Sequence, residues 1–138
     1  MSASKRSKPP SRAAEKTDFD RWIAAEFARS GEFSALVALV GIQGTTITPL
    51  ASTYFNLVGA DVDWPEITVL FAGSGHDWQG AAFFPTVGPA GGPIDSETAK
   101  RRLRDLQTAL TENRLVLNDG HFFDKWGRYI KLEEVPLQ

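Results

Sequence analysis

Ser34-Ala35-Leu36-Val37-Ala38-Leu39-Val40-Gly41-Ile42 is the core of a longer run, Phe33 to Ala60, that contains no charged residue. Its uninterrupted apolar part, Ala35 to Ile42, is far short of the roughly 20 residues a helix needs to cross a bilayer. Beyond it Gly41, Gly44, Thr45, Thr46, Thr48, Pro49, Ser52, Thr53 and Asn56 break the run. A short apolar run rich in β-branched residues and bounded by glycine reads as a buried strand. No membrane span is expected, and the region from 33 to 87 reads as strands: Ser34–Ile42, Thr45–Pro49, Thr53–Val58, Ile67–Phe71 and Ala81–Val87.

Helices flank this region. Thr17-Asp18-Phe19-Asp20 is a variant capping box, with an N-cap residue and an acid three places on. Phe19, Trp22, Ile23 and Phe27 then recur at helical spacing until Ser30-Gly31. Asp95 or Ser96 caps a second helix, in which Ala99, Leu103, Leu106 and Leu110 form one stripe. Asp119-Gly120, between Leu115-Val116-Leu117 and Phe122-Phe123, is the preferred hairpin dipeptide, and Gly127 marks a further turn before Tyr129. The order predicts an α+β fold: one domain, a mainly antiparallel sheet, two amphipathic helices on one face, and a C-terminal β-meander.

Residues 1–16 read differently. They combine Ser, Pro and Lys5, Arg6, Lys8, Arg12 and Lys16 without a large apolar side chain after Met1, which predicts a flexible basic arm ahead of a domain at 17–138. No apolar stretch follows the basic start, so no signal peptide is expected, and the localisation that fits is cytoplasmic, or associated with a nucleoid or virion. The hydrophobic fraction of 42%, with nine Phe and four Trp, suffices for a core without staples, and the absence of cysteine excludes disulfides and thiolate chemistry.

Charge is strongly segregated. No lysine or arginine lies between Arg29 and Lys100, while Glu32, Asp61, Asp63, Glu66, Asp77, Asp95 and Glu97 all do. Residues 30–99 carry −7 and the first sixteen carry +4, within a total of −2. A cation-free middle argues against phosphate contact there and for a basic protein partner. Asp61, Asp63 and Glu66 surround Trp64, so these four residues and the loop aromatic Trp78 are the candidate partner-binding set. The competing reading of Trp64 is a turn residue that folds back onto the core.

Three other constellations carry chemistry. Ser74, His76 and Asp77 are the residue types of a hydrolase, but a working triad draws its members from separated positions, and a polar loop explains them as well. His76 and His121 lack metal-ligand spacing, so no metal and no cofactor is assigned. Lys5, Arg6, Lys8, Arg12, Lys100, Arg101, Arg104, Trp126 and Arg128 make an alternative set for nucleic acid, cations for phosphates and an aromatic for stacking. The balance favours a small non-enzymatic binding or accessory protein acting on another protein: an accessory subunit, an inhibitor or immunity-type protein, or a phage-type assembly component. The nucleic-acid module is the alternative and the small hydrolase the third reading; oligomeric state is not legible.

Overall fold

The computed structural model describes residues 16–59 and 61–133. The arm predicted at 1–16 therefore lies outside the described residues up to position 15. Four antiparallel strands form one sheet: β1 (Phe33–Gln43), β2 (Thr46–Leu57), β3 (Gly80–Thr86) and β4 (His121–Asp124), in the order β2-β1-β3-β4. Three α-helices, α1 (Asp18–Ser30), α2 (Trp64–Ala72) and α3 (Ser96–Glu112), and a 3-10 helix at Arg114–Asp119 complete the α+β architecture.

The run that decides the fold becomes the central strand β1. Every residue from Phe33 to Val40 is buried, because both faces of the sheet are covered. Phe33, Ala35, Val37 and Leu39 point to one layer with Phe19, Trp22 and Ile23 of α1 and Trp64, Ile67 and Phe71 of α2. Leu36, Ala38 and Val40 point to the other, with Leu106 and Leu110 of α3 and Leu117 of the 3-10 helix. Helices thus lie on both faces, not on one. A run without polar alternation requires exactly such double cover, since an uncovered face would leave every second apolar side chain in water.

β1 and β2 form one long hairpin, with Val37 opposite Thr53. The register shifts between Leu39 and Val40, which face Ala51 and Pro49, so Leu50 is the extra residue of a bulge. The two strands expected at Thr45–Pro49 and Thr53–Val58 are one. Pro49 does not interrupt it because β2 is an edge strand, where a missing N–H need break no ladder.

Ile67–Phe71 is helical, not a strand. Asp63 caps α2 by accepting from the Glu66 amide (3.0 Å), and Pro65 sits in the first turn. Burial of Trp64, Ile67 and Phe71 follows helical spacing. Leu115–Leu117 belongs to the 3-10 helix, opened by Asn113 Oδ1 accepting from the Leu115 amide (3.0 Å). A type I′ turn at Asp119-Gly120 is ruled out by the negative φ of Gly120, −101°. Glycine is needed there for another reason: a Cβ would lie 2.7 Å from the Phe83 carbonyl oxygen of β3. What remains of the expected meander is β4 and the segment after Gly127, joined by a Phe123–Tyr129 bridge and an Ile130 amide donating to Phe122 O (2.9 Å).

Candidate functional site

The proposed aromatic anchors are interior. Trp64 and Trp78 are both buried, their rings 6.0 Å apart and edge to face. Trp64 Nε1 donates to the Lys125 carbonyl (2.9 Å) and its amide to Asp20 Oδ1 (2.8 Å). The indole therefore ties α2 to α1 and to the C-terminal turn, and offers no contact area to a partner. Asp63 caps α2, while Asp61, Asp63 and Glu66 remain exposed at its N-terminal end.

Sequence reasoning missed the surface beside these acids, because Ile67–Phe71 was read as a strand. As a helix, the segment turns Val69 (71% exposed) and Leu70 (56%) outward, and Val58 at the end of β2 is 64% exposed. α2 lies against β2 through Phe71, whose ring centroid is 6.1 Å from that of Phe55. β2 pairs only with β1 among the described residues, so its other edge is open over twelve residues without a charge. Natural edge strands are usually guarded by charge, proline or a bulge, and here Pro49 with the Leu50 bulge guards one place, leaving Ala51–Leu57 unguarded.

The polar trio of the loop after α2 serves the backbone. Ser74 Oγ donates to Phe71 O (2.6 Å) and accepts from the His76 amide (3.2 Å), closing the end of α2. Among the described residues no hydrogen bond joins Ser74 Oγ to the His76 ring or the Asp77 carboxylate. His121 pairs with Phe83, three residues along β3 from Gly80, which separates it from the His76 loop by roughly 10 Å or more along the sheet. No group of three potential metal ligands converges among the described residues.

His121 belongs instead to a cluster that the sequence did not reveal. Its ring stacks on Trp22 of α1 (centroids 4.5 Å apart, 25° between planes), and Nδ1 lies 3.0 Å from the Tyr129 hydroxyl. Burial pushes the His121 pKa below its ordinary value; the Glu26 carboxylate opposes this and Arg29 adds to it. Tyr129 is pushed up by burial and by Asp18 and Glu26. Glu26 itself is buried, bound by Arg29 and by Ser30 Oγ (2.8 Å). The Trp22 indole N–H has no partner among the described residues. A neutral imidazole hydrogen-bonded to a phenol braces α1 against the C-terminal segment.

The cationic candidates separate. Lys100, Arg101 and Arg104 are exposed on α3, and Arg101 and Arg102 line a groove of about 490 Å³ against the 87–95 loop. The Asp95 carboxylate in the same wall caps α3 by accepting from the Thr98 amide (2.7 Å), a bond that lowers its pKa. Trp126 and Arg128 lie in the turn after β4, whose contacts are to α1 and α2 on the opposite face of the sheet. Trp126 is 66% exposed, with the Arg128 guanidinium 5.1 Å from its ring centroid. Lys5, Arg6, Lys8 and Arg12 lie outside the described residues. No helix among the described residues is long and apolar enough to cross a membrane.

No family model, curated protein or solved structure matches the chain.

Proposed function

We propose that this chain is a non-enzymatic binding or accessory protein that docks another protein on the surface formed by the open edge of β2 and the outer face of α2. The observation that supports this most is the twelve-residue, charge-free strand at the edge of the described sheet, whose Phe55 meets Phe71 of the helix that exposes Val69 and Leu70. An extended segment of a partner could continue the sheet by backbone hydrogen bonds, with the apolar helix face adding contact area. Asp61, Asp63 and Glu66 form an acidic rim, and residues 30–99 contain no cation, so the partner should present basic residues around an uncharged strand. An accessory subunit, an inhibitor or immunity-type protein, and an assembly component of phage type all use such a face. The backbone engagement of Ser74 favours binding over hydrolysis.

The test is affinity capture from nuclease-treated lysate of the cells that make the protein. A stoichiometric protein partner should be retained by the wild type and lost with Val69→Asp/Leu70→Lys, a double change at two exposed positions that should leave the fold intact. Retention of the same partner by the double variant overturns the proposed face.

A further inference from the structure

The segment from Val87 to Asp95, between β3 and α3, is held as a fixed wall. The Gly91 amide donates to Gly88 O (3.0 Å) and the Gly88 amide to Gly92 O (2.8 Å). Gly91 and Gly92 stand at φ +87° and +78°, where glycine is favoured, and Pro89 and Pro93 fix two further φ angles. The return of the loop is pinned from inside the sheet. Ser34 of β1 is fully buried; its Oγ donates to Asn56 Oδ1 (2.7 Å) and accepts from the Ile94 amide (2.9 Å). Ser34 also stands opposite Thr86, the last residue of β3, so one position of the central strand holds both ends of the loop.

Against this wall the first two turns of α3 leave the groove of about 490 Å³, within the size range of small-ligand sites. Thr98, Arg101 and Arg102, at i, i+3 and i+4, turn one side of the helix to it. Arg102 is oriented by Nη1 donating to Thr86 Oγ1 (2.8 Å), and neither arginine is in an ion pair among the described residues. The facing wall is apolar, from Val87, Pro89, Pro93 and Ile94, and Val87 is 42% exposed. β3 and residues 87–94 supply no titratable side chain. The acid in the groove is Asp95, and its carboxylate is engaged by the helix it caps. It accepts from the Thr98 amide (2.7 Å) and the Thr98 hydroxyl, bonds that hold its pKa down with help from the Arg101 charge. Glu32, Glu97 and Asp105 stand outside the lining.

We infer that this groove binds a small organic acid, its carboxylate held by the guanidiniums of Arg101 and Arg102 and its apolar or aromatic body laid along the wall of Val87, Pro89 and Pro93. Planar guanidinium forks match the two oxygens of a carboxylate, and the apolar wall gives the rest of the ligand area to bury. Two guanidiniums and one carboxylate leave the lining with a balance of +1, which suits a monoanion. A phosphate dianion would set its second charge against Asp95. The site does not rest on the β2–α2 docking surface, since α3 and α2 pack on opposite faces of the sheet.

The probe is phenylpropionate, titrated into the isotope-labelled full chain and followed by NMR of the backbone amides and arginine Nε–H groups. Saturable shifts should centre on Gly88, Gly91, Gly92 and Thr98 and on the Nε–H groups of Arg101 and Arg102. Arg101→Ala should weaken Kd about tenfold, the worth of a charge-assisted hydrogen bond. Arg101→Lys should recover only part of this, because an ammonium cannot meet both carboxylate oxygens in one plane. Both variants should melt with the wild type, since the Arg101 side chain is exposed. Phenylpropionamide, of the same shape without the charge, should bind about tenfold more weakly or worse. Phenyl phosphate should bind no more tightly than the carboxylate. Absence of saturable shifts up to about 50 mM probe, an unchanged Kd in Arg101→Ala, or equal binding of the amide overturns the inference. Tighter binding of phenyl phosphate overturns the carboxylate assignment and makes this a phosphate groove instead.

Discussion

Gly127 holds a φ of +77°, and a Cβ there would stand 2.9 Å from Thr17 Cβ and 3.0 Å from Trp64 Cγ. Strain and collision act together, so Gly127→Ala should destabilise by about 2 kcal/mol or more. Gly91, at φ +87° with open space around it, isolates the strain, and Gly91→Ala should cost about 1 kcal/mol. Urea unfolding of the two variants checks the difference, and equal effects would mean the turn is not docked as described. His121 gives a pH signature. Its folded pKa is lowered from 6.5 by burial, so below that value the unfolded chain takes up a proton that the folded chain resists. Stability is full above pH 6.5 and falls as the pH drops through it towards the lowered folded value. The melting temperature should therefore decline between pH 7.5 and 5.5, and His121→Gln should flatten that decline; parallel curves would contradict the buried placement. Neither feature was legible beforehand. The sequence marks Gly127 as a turn and His121 as a strand residue, but it cannot show that Thr17 or Trp22 comes to meet them.

Legibility of the elements follows the range of the interactions that make them. α1 was readable to its ends, because its capping box and C-terminal glycine are local: the Asp20 amide donates to Thr17 Oγ1 (3.0 Å), and the Thr17 amide to Asp20 Oδ2 (3.0 Å). α3 was readable from its cap and stripe for the same reason. β1 was readable as buried, though not as buried on both faces, since a continuous apolar run does not say what covers it. α2 is not legible as a helix because Ile67-Thr68-Val69-Leu70-Phe71 is rich in residues that favour strands, and the decision lies with Asp63, Pro65 and the burial of Trp64, Ile67 and Phe71. Only as a helix does the segment turn Val69 and Leu70 outward together, so the proposed docking face is not visible from the strand reading. The cap also supplies a test. Asp63→Ala should lower stability by about 1 kcal/mol, whereas Asp63→Asn, an equally good N-cap, should not. If Asp63 also steers a basic partner, Asn should still slow association. Matching stabilities for Ala and Asn would contradict the cap.

For the whole molecule, the sheet divides the charges as well as the core. The helix that carries Lys100, Arg101 and Arg104 packs on one face, and the turn with Trp126 and Arg128 is held by the helices of the other, so the single basic surface suggested by the sequence is two. Between them, β2 leaves one side of the sheet open among the described residues, while the segment after Gly127 runs along β4 at the other. An open, uncharged edge strand, together with a helix that exposes Val69 and Leu70 next to an acidic N-terminal end, is the basis of the proposed function. Hydrogen–deuterium exchange of the chain, alone and with its captured partner, tests that claim most directly. Amides of Thr46–Leu57 and of α2 should gain protection in the complex, while those of α3 and of the Asp124–Arg128 turn stay unchanged. Protection confined to α3 or the turn, with β2 exchanging as in the free protein, would contradict it.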